Sequence, residues 1–406
     1  MLDINSKLYQ MLISVILASS SSIISMNCFL QEGFVYSFGI LVVTLGVYIL
    51  LKDKLITYII GILIITISLE LYQAHFATAL SFCALALFRD IISSDFNFKK
   101  IVIKILKILL SLIVAMVLYI VSWNIALMVS DLTRTNYMGM DKLSISLIKK
   151  IPNLIHTTYY YTLKEFFKPG YRSYIPTYLS LMNIIVCIYS TIVCLKSVWQ
   201  KNKNRLQIFS LILLVSLLPP IIFSNYILSL GASDSLPMKF SFVIIPIIFI
   251  FIIYKYNKSS GKILSIIFVL LIFINSFVGG NIVSAKKRYE YENGMAFANQ
   301  IINRIQSEPG YTPDKKVMIV GGYPSEVPYS RDFEWCDDVQ GANLNQALTY
   351  SHTTLAFIKR FSPTMEVTAN DPKYMRHEKV LALDLFPAHN CVTVIDDIYI
   401  IRLANW

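Results

Sequence analysis

Nine apolar stretches divide the first part of the chain, at 8–29, 34–51, 55–71, 73–89, 101–123, 174–195, 206–227, 239–255 and 263–283. Each comes near the roughly 20 apolar residues that a helix needs to cross a bilayer core. The third and fourth are parted only by the polar knot Glu70-Leu71-Tyr72-Gln73. The seventh holds Pro219-Pro220 and should kink or stop early, because proline removes a backbone donor and strains the turn before it. The serines at 19–22 lie inside the first stretch, where hydroxyls can bond back to the preceding turn. The segment 124–173 reads as a loop with an amphipathic part, Leu143–Ile155, and a run of Tyr159, Tyr160 and Tyr161 suited to a membrane interface.

The pattern changes after residue 283. Met295, Phe297, Ala298, Ile301, Ile302 and Ile305 recur at helical spacing, and Lys316–Val320 is a short apolar run ending at Gly321-Gly322, a buried strand and its turn. Residues 344–361 and 372–385 read as further helices. Cys391–Ile395 and Ile398–Leu403 flank Asp396-Asp397 as a β-hairpin. The fold class that follows is mainly α: a polytopic membrane helical bundle of about nine spans over residues 1–283, with a small C-terminal α/β periplasmic domain over 284–406.

Composition agrees and excludes alternatives. Of 406 residues, 55% are hydrophobic and only 15% charged, against roughly 25% charged in an average soluble protein. A soluble enzyme, a nucleic-acid-binding domain and a disordered chain are all poor fits. The net charge of +11 does not point to nucleic acid, because its excess lies entirely within residues 1–283. Four short loops carry it: Lys52 and Lys54; Arg89, Lys99 and Lys100; Lys196, Lys201, Lys203 and Arg205; Lys255, Lys258 and Lys262. The loop 228–237 has neither Lys nor Arg. The positive-inside rule places the basic loops in the cytoplasm. Nine spans then give a cytoplasmic N-terminus and an outer C-terminal domain in a bacterial inner membrane. No basic start and A-x-A-like site marks a cleavable signal.

Candidate chemistry is sparse. The sequence has no phosphate-binding G-x-x-x-x-G-K-[ST] loop, no H-E-x-x-H and no paired C-x-x-C, so no metal site or cofactor is expected. Glu70, Tyr72, Gln73 and His75 sit where two spans meet. They form either the polar wall of an outward-facing substrate cavity or a helix-end knot satisfied by water and headgroups. Arg134, near Asp131, carries a guanidinium fork that fits phosphate, and Lys239, near Asp234, is placed to meet a lipid phosphate. Asp332 and Glu334 surround Trp335, an arrangement suited to a sugar, whose apolar face stacks on a ring while carboxylates take its hydroxyls. For all three the plainer reading is a solvated surface charge. Cys336 and Cys391 both fall in the outer domain and are a candidate disulfide pair.

Ser68-Leu69-Glu70-Leu71-Tyr72-Gln73-Ala74-His75 resembles the S-L-x-x-Y-Q-A signature of the serotype-converting O-antigen glucosyltransferases, the Gtr family. Asn27 followed by Tyr36 and Phe38, the strand Val317–Gly322, and the ending from Phe386-Pro387-Ala388 through Asp396-Asp397 to Arg402 are similar to further stretches of that family. The resemblance implies a membrane glycosyltransferase of the GT-C kind. Its donor would be undecaprenyl-phosphate glucose and its acceptor a lipid-linked O-antigen or related surface glycan on the periplasmic side. Glu70, Tyr72, Gln73 and His75 would line the cavity, and Lys239 or Arg134 would contact the phosphate. The family's first span and its outer loop with paired aspartates, the expected catalytic carboxylates, have no counterpart here, so the catalytic residues are unknown and the chain could be a truncated or inactive copy. The alternative is a non-catalytic membrane protein such as a lipid-sugar transporter or an accessory subunit.

Overall fold

The computed structural model describes residues 2–26, 33–130, 146–167, 177–201, 204–229, 236–256, 260–321, 351–368 and 371–403. The chain divides into two compact units, Met1–Gly280 and Asn281–Trp406.

The first unit is helical. Its elements are α1 (Lys7–Ala18), α2 (Ser21–Met26), α3 (Gly33–Leu50), α4 (Leu55–Leu71), α5 (His75–Ile91), α6 (Phe98–Val129), α7 (Ser146–Phe167), α8 (Thr177–Lys201), α9 (Arg205–Ile222), α10 (Ser224–Leu228), a 3-10 segment (Leu236–Val243), α11 (Ile244–Tyr256) and the start of α12 (Ser260–Gln306). Among the described residues six helical stretches are long and apolar enough to span a membrane. The other apolar stretches are α1 and α2, parted at Ser19-Ser20, and α4 and α5, each 17 residues long. The serine run therefore interrupts the first helix, with the Ser19 hydroxyl donating to the Val15 carbonyl at 2.6 Å. The proline pair does end α9 early, at Ile222. Within the stretch 124–173, α6 runs on to Val129, and α7 fills Ser146–Phe167, overlapping the amphipathic part at Leu143–Ile155 and continuing beyond it.

Helix α5 is the centre of this unit. Ala77, Ala79, Ser81, Ala84 and Ala86 are all buried, and side chains this small let neighbouring backbones approach closely. The helix packs against α3, α4, α6, α9, α10 and α11. Its two ends differ. At the C-terminal end Asp90 binds Arg89 and Lys104, each at 2.6 Å, and Arg89 reaches Asp3 at 2.8 Å. Lys255 donates to the Ile92 carbonyl at 2.6 Å, and Gln207 to that of Ile91 at 2.6 Å. The N-terminal end, about 25 Å away at 1.5 Å per residue, carries His75.

The second unit is a mixed sheet with helices on both faces. Strand order is β2 (Glu366–Thr368), β1 (Lys316–Val320), β4 (Ile398–Arg402), β3 (Val392–Ile395). β1 is parallel to β2 and β4, and β3 is antiparallel to β4. Val317 and Ile319 face one core with Phe297, Ile301 and Ile305 of α12 and Ile358 of α13 (Ser351–Phe361). Met318 and Val320 face the other with Val380, beside the short helices α14 (Pro372–Met375) and α15 (Glu378–Leu381). A strand covered on both faces must read as a continuous apolar run, as β1 does. In the β3–β4 turn Asp396 and Asp397 take φ of 51° and 65°, the left-handed pair that a two-residue hairpin requires. Lys373 holds Asp396 at 3.0 Å, and Lys315 holds Asp397 at 2.5 Å. The Lys373 and Tyr374 hydrogen bonds hold the Asp396 carboxyl below its usual range.

Cys391 is a fully buried thiol, and its expected partner Cys336 lies outside the described residues. Burial pushes the Cys391 pKa up. The raised folded-state value adds stability below the ordinary thiol pKa of about 8.5, and that stability is lost as pH rises through the folded value. In a variant keeping Cys391 as its only cysteine, maleimide labelling at neutral pH should be slow in the folded chain and fast after denaturation. Equal rates would contradict the buried thiol.

Candidate functional site

The knot between α4 and α5 is held by one imidazole. Tyr72 leaves the helix in an extended conformation, and the His75 N–H then bonds the Tyr72 carbonyl at 3.0 Å to start α5. The His75 side chain turns inward and is 1% exposed. Its Nδ1 lies 3.0 Å from both the hydroxyl and the carbonyl of Ser68, and its Nε2 lies 3.2 Å from the Tyr36 carbonyl. The Ser68 hydroxyl also lies 2.9 Å from the Gly39 carbonyl. The ring fits only because residue 39 is glycine: a Cβ there would lie 1.9 Å from the imidazole Cε1. Tyr72 packs against Tyr36 at 4.3 Å between ring centroids. Glu70 and Gln73 face outward, and Glu70 accepts a bond from Ser122. Of the four residues expected at this wall, His75 is thus enclosed in packing, while Glu70, Tyr72 and Gln73 keep accessible surface.

A second polar centre lies at the same end of α5. Lys239, on the 3-10 segment, pairs with Glu165 of α7 at 3.0 Å, with both side chains about nine-tenths buried. The ammonium sits 5.9 Å from the Tyr161 ring centre, and Tyr161 packs edge-on against Tyr226 at 5.2 Å. The residue before Tyr226, Asn225, donates to the Ala74 carbonyl at 2.8 Å. Helix α10 thereby ties the His75 knot to the Lys239–Glu165 pair.

Glu165 also lines a cavity of about 120 Å³. Its walls are mostly apolar, with Ile16, Val186, Phe242 and Phe268, and its polar lining includes Asn183 of α8 and Asn275 of α12. A pocket enclosing a whole drug-sized ligand measures roughly 300 Å³ or more, so this one receives only part of a larger molecule. Asn183 and Asn275 are 7% and 5% exposed. Among the described residues, no group of three or more His, Cys, Asp or Glu side chains is placed to hold a metal.

Sequence reasoning singled out Lys239 but set it beside Asp234, which lies outside the described residues, as do Asp131, Arg134, Asp332, Glu334 and Trp335. It missed Glu165, Asn183 and Asn275. The available signal was local for the asparagines, since polar side chains inside apolar spans are expensive and tend to face a cavity or a partner.

A family model described as Glucosyl transferase GtrII matches residues 1–244. No curated protein and no solved structure matches the chain.

Gly39→Ala should destabilise the purified chain by about 1–3 kcal/mol through overpacking, read as a lowered Tm. Adding His75→Ala should recover part of that loss; no recovery would contradict the contact. Glu165→Gln or Lys239→Gln alone should destabilise by about 3–5 kcal/mol, because each leaves a buried charge without its partner. The double substitution should lose less than the sum of the two singles, measured as a double-mutant cycle by thermal unfolding.

Proposed function

The chain belongs to the GtrII glucosyl transferase family, and from that premise we propose that it moves glucose from undecaprenyl-phosphate glucose to a lipid-linked O-antigen or related surface glycan at the periplasmic face of the bacterial inner membrane. The observation that carries this reading is the buried Lys239–Glu165 pair, whose Glu165 lines a largely apolar cavity. A lipid-linked donor needs apolar wall, a cation for its phosphate and a carboxylate for the acceptor proton, and these are brought together there.

Orientation follows from the two ends of α5. Arg89, Lys104 and Lys255 gather at one end, which the positive-inside rule assigns to the cytoplasm. The His75 knot and Lys239 then face the periplasm, where a lipid-linked donor and a surface glycan would meet.

The chemistry is a displacement at the glucose anomeric carbon. The acceptor hydroxyl oxygen forms the new bond to that carbon, the bond from carbon to phosphate oxygen breaks, and the lipid phosphate departs with the electron pair. Lys239 neutralises the departing phosphate, with Arg134 as a second cation. A phosphate that engages Lys239 draws it away from Glu165, whose carboxylate then takes the acceptor proton. Glu70, Tyr72 and Gln73 present polar surface to the sugars, and His75 holds their helix ends in place. Asp332, Glu334 and Trp335 hold the acceptor glycan.

The test is glucosylation of a defined O-antigen in cells supplied with this chain. Wild type should add a glucose branch. Glu165→Gln should lower kcat by at least roughly 100-fold, the scale of a lost general base. Lys239→Gln should chiefly raise KM for the donor. The Glu165→Gln, Lys239→Gln double variant should fold and stay inactive, which separates chemistry from stability. Absence of any branch from the wild-type chain would favour a non-catalytic carrier or accessory subunit.

A further inference from the structure

Two amide side chains that line the cavity each keep one buried atom unmet. Asn183 Nδ2 and Asn275 Oδ1 are buried and have no hydrogen-bond partner among the described residues. Both side chains are more than nine-tenths buried, and both line the cavity that Glu165 borders. A buried donor or acceptor left unmet costs about 1–3 kcal/mol, so one unmet donor and one unmet acceptor, on side chains that line a single cavity, call for a ligand that supplies both.

The chemistry narrows the ligand. An isoprenoid chain satisfies neither amide. A phosphate only accepts, so it would leave the Asn275 oxygen unmet and would face the Glu165 carboxylate. A hydroxyl both donates and accepts, and it matches either orientation of the two amides. The rest of the lining mixes the hydroxyl-bearing Ser19, Ser20 and Ser276 with apolar side chains that include Phe242 and Phe268, a combination that suits the hydroxyls and C–H groups of a sugar. The cavity volume of about 120 Å³ suits one ring rather than a whole lipid-linked donor.

We infer that Asn183 and Asn275 form a sugar-reading pair that grips a hydroxyl of the hexose carried by the lipid donor, and so helps set which sugar is transferred. The inference rests on the donor reading above and adds residues which that reading does not use. A site built to bond a hydroxyl rejects an analogue lacking it, because its own polar groups are then left unpaired.

The experiment uses the full chain purified in detergent, with undecaprenyl phosphate and undecaprenyl-phosphate glucose as probes. Asn183→Leu and Asn275→Leu should each raise the Kd for the glucosyl lipid about tenfold, the loss of roughly one buried hydrogen bond. They should leave the Kd for undecaprenyl phosphate unchanged within about twofold. Because each substitution removes an unsatisfied buried group, the Tm of both variants should equal or exceed that of the wild type. A series of monodeoxy-glucosyl lipids should show one position whose loss weakens the wild type and not the Asn variants.

Equal weakening of both lipids would overturn the inference and give the cavity to the prenyl chain. No weakening of either would overturn it as well. A wild-type chain that binds neither lipid would overturn the donor reading and this inference with it. Binding with normal glucose transfer but no Asn dependence would overturn the inference alone.

Discussion

The imidazole of His75, lodged where Gly39 has no side chain, is the contact on which the outer end of the first unit depends. It joins three segments at once: the Tyr36 turn of α3, Ser68 near the end of α4, and the start of α5. Inside an apolar bundle a helix break is tolerated only where other groups satisfy the freed backbone. Here the break at Tyr72–Ala74 is closed by the ring of His75 and by the Asn225 amide on the Ala74 carbonyl. That closure fixes α10, and α10 places Tyr226 against Tyr161 beneath Lys239. The ion pair and the cavity inherit their position from a histidine that touches neither.

Much of the fold was legible in the sequence because hydrophobic period is a local signal. The spans that became α3, α6, α8, α9 and α11, the strand β1 and the Asp396-Asp397 hairpin all came from windows of a few to about twenty residues. The breaks were harder. Ser19-Ser20 looked compatible with a continuous helix, since serine hydroxyls can bond back to the preceding turn; the Ser19 hydroxyl does so, and the helix nonetheless stops. Helix α7 was legible only in part, as the amphipathic stretch ending at Ile155, because Lys149, Lys150, Pro152 and Lys164 lower its apolarity below that of a span.

The site was less legible for a physical reason. Lys239 and Glu165 are separated by 74 residues, and the cavity combines side chains of α1, α7, α8, α11 and α12. Pairing across helices is decided by packing, which no sequence window contains. The motif at 68–75 was visible as polar residues at a span boundary. Its division into an inward clamp at His75 and outward surface at Glu70 and Gln73 needed the tertiary fold. A buried ion pair is weak evidence for stability, and two unmet amides lower it further. The region around Glu165 therefore adds little to the folding free energy of the first unit.

Helix α5 also carries a consequence for how the chain is made. Its polar ends are completed by Gln207, Asn225 and Lys255, which lie 116, 151 and 163 residues further along from the backbone carbonyls they bind. At about 5–20 residues per second, the ribosome leaves that central helix without these partners for on the order of ten seconds. Through that interval its alanine-rich face has only α3, α4 and then α6 for cover. The growing chain therefore passes through a stage in which its future core helix is made before the segments from α9 to α11 that complete its packing.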